Sequence, residues 1–583
     1  MATVNEDEVG ARELLAVAAG AVLLAIVMHW PLILHLGSAV PRDLGDPLPQ
    51  AWQVAWGGHA LTAQPLDFFD ANQFWPFANS LAFSDGLVGY APAGLIGSGP
   101  HAALVRYDLL FLFAYALSFF AAYLLARELG LGRGAALVAG AAFAFAPFRL
   151  EQDGHMQVIS SGGIALALAL GVRAMRRRSA AAMIAAWLVA LWQVSLGFSL
   201  GLPFAYLLGA LALIWLGVWV HRRRPPLDRR LLVAAIAGGV VFAIGTGLLS
   251  IPYQDVADRF PEATRSPHTV AAYSGPLDVF LVAPAENLIW GGATAGIRDG
   301  LSNVPEKTLF PGLAIVCLAI AGVGWRGWPR GLRWGLAGAA VAISILALGF
   351  REQGGLLWPD RILYDLLPGW QGIRTPGRLI TFSSLALALL AAAGTQRLLA
   401  AAVARDARRA LAPALAAVLA LLVIVEGRGL PFDPTGSQAQ PAAPAAPASV
   451  AGVAAPQLHL PALLPEDNRR YLLWSTDGFP KLVNGRSSTT PQFTERLIAE
   501  MDGFPDRASV ERLRQLGIPT VIVHLDRAAG TPQAGSSATP VAGLGVSRRR
   551  LGELEVYDVR SPSATGEPAA GRAATGRGAL DRS

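Results

Sequence analysis

Apolar positions along this chain fall in long uninterrupted blocks, with polar residues collected between them. Eleven blocks approach the roughly 20 residues that a helix needs to cross a bilayer: 11–34, 103–126, 134–148, 157–172, 179–197, 203–220, 231–251, 309–324, 333–350, 379–399 and 409–426. The third and fourth are short and read as tilted or partly re-entrant. The stretch 86–99 (GLVGYAPAGLIGSG) is apolar but broken by glycines and a proline, and reads as re-entrant or interfacial. The pattern predicts an all-α polytopic membrane protein of about eleven transmembrane helices.

The polar connections alternate in kind. One set is short and arginine-rich, carrying Arg127 and Arg133, then Arg173, Arg176, Arg177 and Arg178, then Arg222 to Arg224 with Arg229 and Arg230, then Arg326, Arg330 and Arg333, then Arg397, Arg405, Arg408 and Arg409. Such loops stay cytoplasmic, which puts the N-terminus inside and the C-terminus outside. The acidic start (Glu6, Asp7, Glu8) has no cleavage site, so the first block reads as an anchor. Three long loops, 35–102, 252–308 and 351–378, then face outward, and the chemistry is expected there. Residues 1–429 form the membrane domain on this reading.

Past the last block the character changes. Residues 430–456 are rich in Pro, Ala, Ser and Gly and read as a linker. In 457–560, Tyr471–Trp474 reads as a strand. Gln492–Met501 and Ala508–Leu516 have helical periodicity, with Gly517 as a C-cap. Thr520–His524 and Leu554–Val559 are β-branched or alternating runs. This predicts a small extracytoplasmic α/β domain, followed by a disordered tail at 561–583.

Composition narrows the class. The chain is 53% hydrophobic and 15% charged, where soluble domains carry about a quarter charged residues. Its single cysteine, Cys317, allows no intrachain disulfide. The net charge of +6 lies in loop arginines that orient a membrane protein, so nucleic acid is not an expected partner. Only Lys307 and Lys481 are lysines, a bias typical of GC-rich bacterial genomes.

Three clusters carry candidate chemistry. The first outer loop places Asp43 and Asp46 just past the first span, followed by Trp52, Trp75 and Asp85. A carboxylate can deprotonate a hydroxyl and aromatic rings can stack on a sugar; the same residues also suit a solvated loop with interfacial tryptophans. The second is the turn holding Arg149, Glu151, Asp153 and His155, whose residue types suit a substrate site or a divalent cation, or simply a wet interfacial turn. No HxxxH, CxxC or regular DxD accompanies it, so a metal stays open. The third is Arg374-Thr-Pro-Gly-Arg378, where Thr375 and Pro376 suit a helix start and two arginines beside it suit a phosphate, or membrane anchoring.

The segment Gly45-Asp46-Pro47 followed by Gln50-Ala-Trp52 and Trp56 resembles the GT-C superfamily of membrane glycosyltransferases, which includes protein O-mannosyltransferases and the transferases that place aminoarabinose on lipid A. The resemblance is nearer to a poorly characterised bacterial branch. It rests on Asn72-Gln-Phe-Trp75-Pro76, Phe145-Ala-Pro147-Phe-Arg149, Gly154-His155-Met-Gln157, Glu306-Lys-Thr-Leu-Phe-Pro-Gly312, Arg374-Thr-Pro376-Gly-Arg378, and Ser475-Thr476 with Asn484-Gly485, and covers most of residues 10–525. The chain departs from that branch at Asp477-Gly478, where His-Trp is expected, and at Arg486, where Tyr is expected.

The resemblance implies transfer of a sugar from a polyprenyl-phosphate donor to an envelope glycan, lipid or protein. The expected location is the outer face of a bacterial inner membrane. Asp46, ahead of Asp43, is the implied base, and Arg374 and Arg378 are the implied donor-phosphate ligands. Trp52, Trp75, Asp85, Arg149, Glu151 and His155 are candidate substrate contacts. The rival class is a non-catalytic transporter or scaffold for lipid-linked saccharides. The scarcity of intramembrane acids, with Glu13 and Glu426 only at span edges, weighs against a proton-coupled transporter but not against a scaffold.

Overall fold

A computed structural model describes residues 9–223, 228–351, 359–404, 411–429 and 441–559. Each of the eleven predicted blocks coincides with an apolar helix. Seven are long and apolar enough to cross a membrane: Ala11–Met28, Gly99–Glu128, Met156–Arg177, Phe198–His221, Arg229–Arg259, Arg330–Ala347 and Pro376–Val403. Arg133–Ala144, Ala180–Ser195, Leu313–Val323 and Ala412–Glu426 are shorter. This is a multi-pass membrane protein.

Inside lipid, helices associate through close packing and polar contacts rather than through exclusion of water. Helices Leu313–Val323 and Ile380–Ala404 do so through reciprocal glycines. A Cβ on Gly322 would lie 1.9 Å from the Leu390 carbonyl oxygen, and one on Gly394 would lie 1.9 Å from that of Leu318. Any larger residue at either position drives the backbones apart.

The acids at span edges hold structure together. Glu13 accepts from Tyr123 at 2.7 Å and from Arg127 and Arg133, both at 2.8 Å. Glu426 accepts the Leu313 and Ala314 N–H groups at 2.6 and 2.9 Å. It thereby caps a helix whose own N-cap residue, Gly312, has no side chain to do so.

The long connections converge at one end of the bundle, and here the structure departs from the expected loop. Pro47–Ala63 is a helix, with Asp46 at its N-cap and Pro47 in its first turn. Thirteen of its 17 residues are buried. The spacing of Trp52, Trp56 and Ala60 by fours carried that signal. The Gln50 amide is fully engaged: it donates to Gln157 at 2.8 Å and accepts from Tyr107 at 3.2 Å and the Met156 N–H at 3.0 Å. The stretch 86–99 does not span. Its Val88–Leu95 portion is a 3-10 segment packed on this helix, with Gly58 and Gly94 backbone to backbone.

The C-terminal region holds a four-stranded sheet: β1 (Gln457–Leu460), β2 (Thr520–His524), β3 (Val546–Leu551) and β4 (Leu554–Val559), in the order β1-β2-β4-β3. β1 and β2 are parallel, and the other pairs are antiparallel. Helices Gln492–Ala499 and Arg507–Leu516 accompany it. The second starts in an Asp506/Ser509 capping box and ends at Gly517, whose φ of 69° is the left-handed cap conformation. Tyr471–Trp474, expected as a strand, is instead the end of helix Pro465–Trp474. Its aromatic residues look β-like in isolation, but Pro465 at a helix start and the acidic first turn decide the local structure.

This region is fastened to the long loop after the first helix rather than held away from it. The Asn72 side chain accepts from Trp52 Nε1 at 2.9 Å and donates to Ser475 Oγ at 3.1 Å and the Pro480 carbonyl at 2.8 Å. The Trp75 N–H donates to the Leu482 carbonyl at 2.8 Å. Of the expected linker, residues 430–440 lie outside the described residues, and Pro441 to Ala443 pair with Ser38 to Val40.

Asn72→Ala leaves the Trp52 indole N–H and the Pro480 carbonyl buried without partners. At about 1–3 kcal/mol for each unsatisfied group, thermal unfolding in detergent should move clearly downward. Proteolysis of 441–559 should speed up. An unchanged melting temperature would remove Asn72 as the fastening point.

Candidate active site

Segments carrying Glu151 and His155, Glu286, and Arg469 meet around the turn Pro41–Pro47. Arg42 adopts φ 70°, a left-handed conformation that costs a non-glycine residue energy. Its guanidinium holds the turn by ion pairs to Glu151 at 2.5 Å and Glu286 at 2.7 Å. Asp43 Oδ1 accepts the Gly45 N–H at 2.6 Å, closing the turn on itself. A Cβ on Gly45 would stand 2.6 Å from that oxygen and 3.8 Å from the Arg469 guanidinium carbon. Glycine here leaves room for the Asp43 carboxylate to close the turn.

Asp46 follows. Although it stands at the N-cap, its side chain makes no capping bond. Its carboxylate is 48% exposed and lies 3.4 Å from His155 Nε2. His155 is mostly buried, and its Nδ1 has no hydrogen-bond partner. Burial, then the nearby Arg378 cation, holds its pKa below the ordinary histidine value, against the pull of Glu306, Asp46 and Asp43.

Behind His155 sits a buried ion pair. Arg378 contacts Glu306 through both Nε, at 3.1 and 3.2 Å, and Nη2, at 2.5 Å. Burial disfavours the Glu306 charge, but Arg378 and His155 outweigh it and hold its pKa below the ordinary value of 4.5. Arg374 extends over the Tyr273 ring, 4.8 Å from its centroid. Arg486, from the C-terminal region, is depressed by burial and then by Arg469, and it feels Asp46, Glu466 and Arg374. Arg469 and Arg486, both from the C-terminal region, thus lie on the side of the half-exposed Asp46 carboxylate.

Of the expected site residues, Asp46 and His155 come together. The turn holding Arg149, Glu151, Asp153 and His155 does not act as one cluster. Arg149 is buried, donating to Ser161 at 2.9 Å and the Ile159 carbonyl at 2.7 Å, and it lies over Tyr115. Glu151 turns to Arg42; burial pushes its pKa up to about 7 against the Arg42 cation, and the nearby Glu286 charge adds to the rise. Asp153 turns to Tyr115, and burial pushes it up to about 7 as well. A divalent-cation site is not formed from this turn, and among the described residues no three His, Cys, Asp or Glu side chains converge to hold a metal.

Trp52 is fully buried and serves Asn72, so it does not present a face to a sugar. Trp75 packs against the C-terminal core. Asp85 accepts the Ser199 N–H at 3.3 Å, in the first turn of helix Phe198–His221. The Arg374–Arg378 segment begins not as an α-helix but as a 3-10 turn, Pro376–Leu379, and Thr375 makes no side-chain cap. Arg378 is engaged by Glu306, so the expected pair of phosphate ligands is reduced to Arg374.

Sequence reasoning missed Arg42, Glu286 and Arg469, and left Glu306 without a role. Glu306 and Arg378 stand in two of the segments that carry the resemblance, which was an available signal. Arg42 and Arg469 had none beyond their charge.

No protein-family model and no curated protein sequence matches the chain. Solved structures do. The mycobacterial arabinofuranosyltransferase AftD superposes with a TM-score of 0.54 at 16% identity, over 97% of this chain and 41% of that one. The apo oligosaccharyltransferase of Archaeoglobus fulgidus gives 0.48 at 15%, over 91% and 71%. ArnT from Cupriavidus metallidurans bound to undecaprenyl phosphate gives 0.35 at 15%, over 95% and 99%. The chain has the fold of the GT-C membrane glycosyltransferases. It spans about two fifths of the length of AftD.

Breaking the Glu306–Arg378 pair from one side leaves a buried charge, typically 3–5 kcal/mol. Glu306→Gln should therefore lower the unfolding temperature strongly. Because the folded pKa of Glu306 is depressed, its stabilisation is present above about pH 4.5 and disappears as the pH falls through the folded value. Melting curves across pH 3–7 should show an acid loss in the wild type that the variant lacks.

Proposed function

We propose that this protein is a membrane glycosyltransferase that moves a sugar from a polyprenyl-phosphate donor to a hydroxyl of an envelope glycan, lipid or protein. The observation that carries the reading is the half-exposed Asp46 carboxylate 3.4 Å from His155 Nε2, in a turn that Arg469 approaches, on a GT-C fold. Asp46 takes the proton of the acceptor hydroxyl. The freed oxygen attacks the anomeric carbon, and the bond from that carbon to the phosphate oxygen breaks with its electrons going to the phosphate. Arg374, Arg469 and Arg486 face the charge that develops there; fixed donors aimed at developing charge lower such barriers without reorganising. His155 orients Asp46 and shares the proton it gains. The arginine-rich turns favour a cytoplasmic N-terminus and an outer-face site in a bacterial inner membrane.

Asp46→Asn is nearly isosteric, so it separates chemistry from folding. With a panel of polyprenyl-phosphate sugars, transfer by a folded Asp46→Asn protein should drop about 10²–10⁴-fold, with donor binding retained. Transfer at the wild-type rate would overturn the reading. Arg374→Ala should weaken donor binding by roughly 1.5–3 kcal/mol, and Arg374→Lys should not restore it fully, because lysine lacks the planar fork. Unchanged affinity would return Arg374 to an anchoring role.

A further inference from the structure

A second polar groove, of about 200 Å³, lies at the far end of helix Pro47–Ala63 from Asp46. His59, on its wall, is thirteen residues along that helix from Asp46, about 20 Å at 1.5 Å per residue. Its floor is the contact of Gly58 with Gly94, and its other walls are Gly97 to Gly99, Arg106 and Phe479.

Arg106 is only 7% exposed. Its Nη1 donates to the Ile96 and Gly97 carbonyls, and its buried Nε has no acceptor. No carboxylate among the described residues pairs with it. A guanidinium removed from water without a counter-charge is costly unless an anion is supplied. The same wall holds Ser98 and Gly99, at the start of helix Gly99–Glu128, where Ser98 makes no side-chain cap; the first N–H groups of a helix have no partner within it, and its start carries the positive end of the dipole. Two independent features therefore call for negative charge at one place. Leu95 (53% exposed) lines the groove, and the exposed Leu61 (40%) and Ile96 (72%) adjoin its lining residues in sequence, near the start of the membrane-spanning helix Gly99–Glu128. On the opposite wall, His59 and Phe479 stack with their rings 4.6 Å apart.

We propose that this groove binds the phosphate headgroup of an anionic lipid in the adjoining leaflet, with Arg106 and the start of helix Gly99–Glu128 on the phosphate and Leu61, Leu95 and Ile96 on the acyl chains. The apolar rim favours a lipid over a free anion, since a soluble phosphate gains nothing from it. The site is separate from the Asp46 turn and does not depend on glycosyl transfer. It places a lipid beside Phe479 and Thr476, which belong to the C-terminal region that also supplies Arg469 and Arg486.

The test uses the full chain in phosphatidylcholine nanodiscs with and without phosphatidylglycerol, with retained lipid read by native mass spectrometry. Inorganic phosphate is titrated in parallel. The wild type should retain phosphatidylglycerol selectively and bind inorganic phosphate far more weakly. Arg106→Gln should weaken retention about ten- to hundredfold, as for a lost hydrogen bond to a charged group. Because that variant also loses the contacts to Ile96 and Gly97, Ser98→Trp serves as a second probe: it fills the exposed mouth and leaves Arg106 in place. It too should abolish retention. Undiminished selective retention in either folded variant would overturn the proposal, as would inorganic phosphate binding as tightly as the lipid.

Discussion

Helix Pro47–Ala63 lies outside the membrane spans and yet is buried on most sides. That burial is the constraint on which the outer half of the molecule depends. A helix placed there must satisfy its polar side chains from other segments, and it does. Gln50 ties it to the turn after Arg133–Ala144, Trp52 ties it through Asn72 to the C-terminal region, and Gln53 reaches the Asp85 carbonyl at 2.9 Å. Once these bonds are made, the first residue of the helix has one orientation, and Asp46 is presented from a rigid element rather than a free loop. Sites on rigid elements hold reacting groups more closely than sites on loops.

The charges around Asp46 divide into those consumed by structure and those left available. Arg42 is spent on Glu151 and Glu286, and Arg378 on Glu306. Both pairs are largely buried, so each member is expensive to leave alone. Arg374, Arg469 and Arg486 are less fully compensated. Among the described residues, the ion pair of Arg469 is to an exposed Glu466 at 3.6 Å, and Arg374 has a ring face. On the proposed reading, these are the arginines left to meet an anion. Two of them come from the C-terminal region, so a functional centre of this kind needs both parts of the chain. The fastening through Asn72 is then as much a matter of electrostatics as of stability.

The same helix connects two sites. Its start carries Asp46, and its last turns line the groove with Arg106. Gly57 and Gly58 let the Ala91–Gly94 backbone lie directly against it, where any Cβ on Gly58 would fall 2.1 Å from the Gly94 carbonyl carbon. Close backbone packing of this sort transmits displacement better than a layer of flexible side chains. The proposed lipid groove and the proposed base thus share one stiff element.

The sequence by itself determined the membrane class, all eleven apolar helices and the small sheet-containing C-terminal region. Hydrophobic blocks and arginine-rich turns are local signals, and a bilayer converts them directly into spans. It did not determine that residues 47–63 form a buried helix, that Tyr471–Trp474 ends a helix rather than forming a strand, or that Arg149, Glu151 and Asp153 leave His155 for separate partners. Those outcomes rest on contacts between segments far apart in the chain. Glu306 reaches Arg378, Arg42 reaches Glu286, and Asn72 reaches Pro480. A charged or amide side chain carries no mark of its partner in its own neighbourhood. Which arginine is neutralised and which stays free to meet an anion is decided only when the chain has folded and the buried charges have been paired.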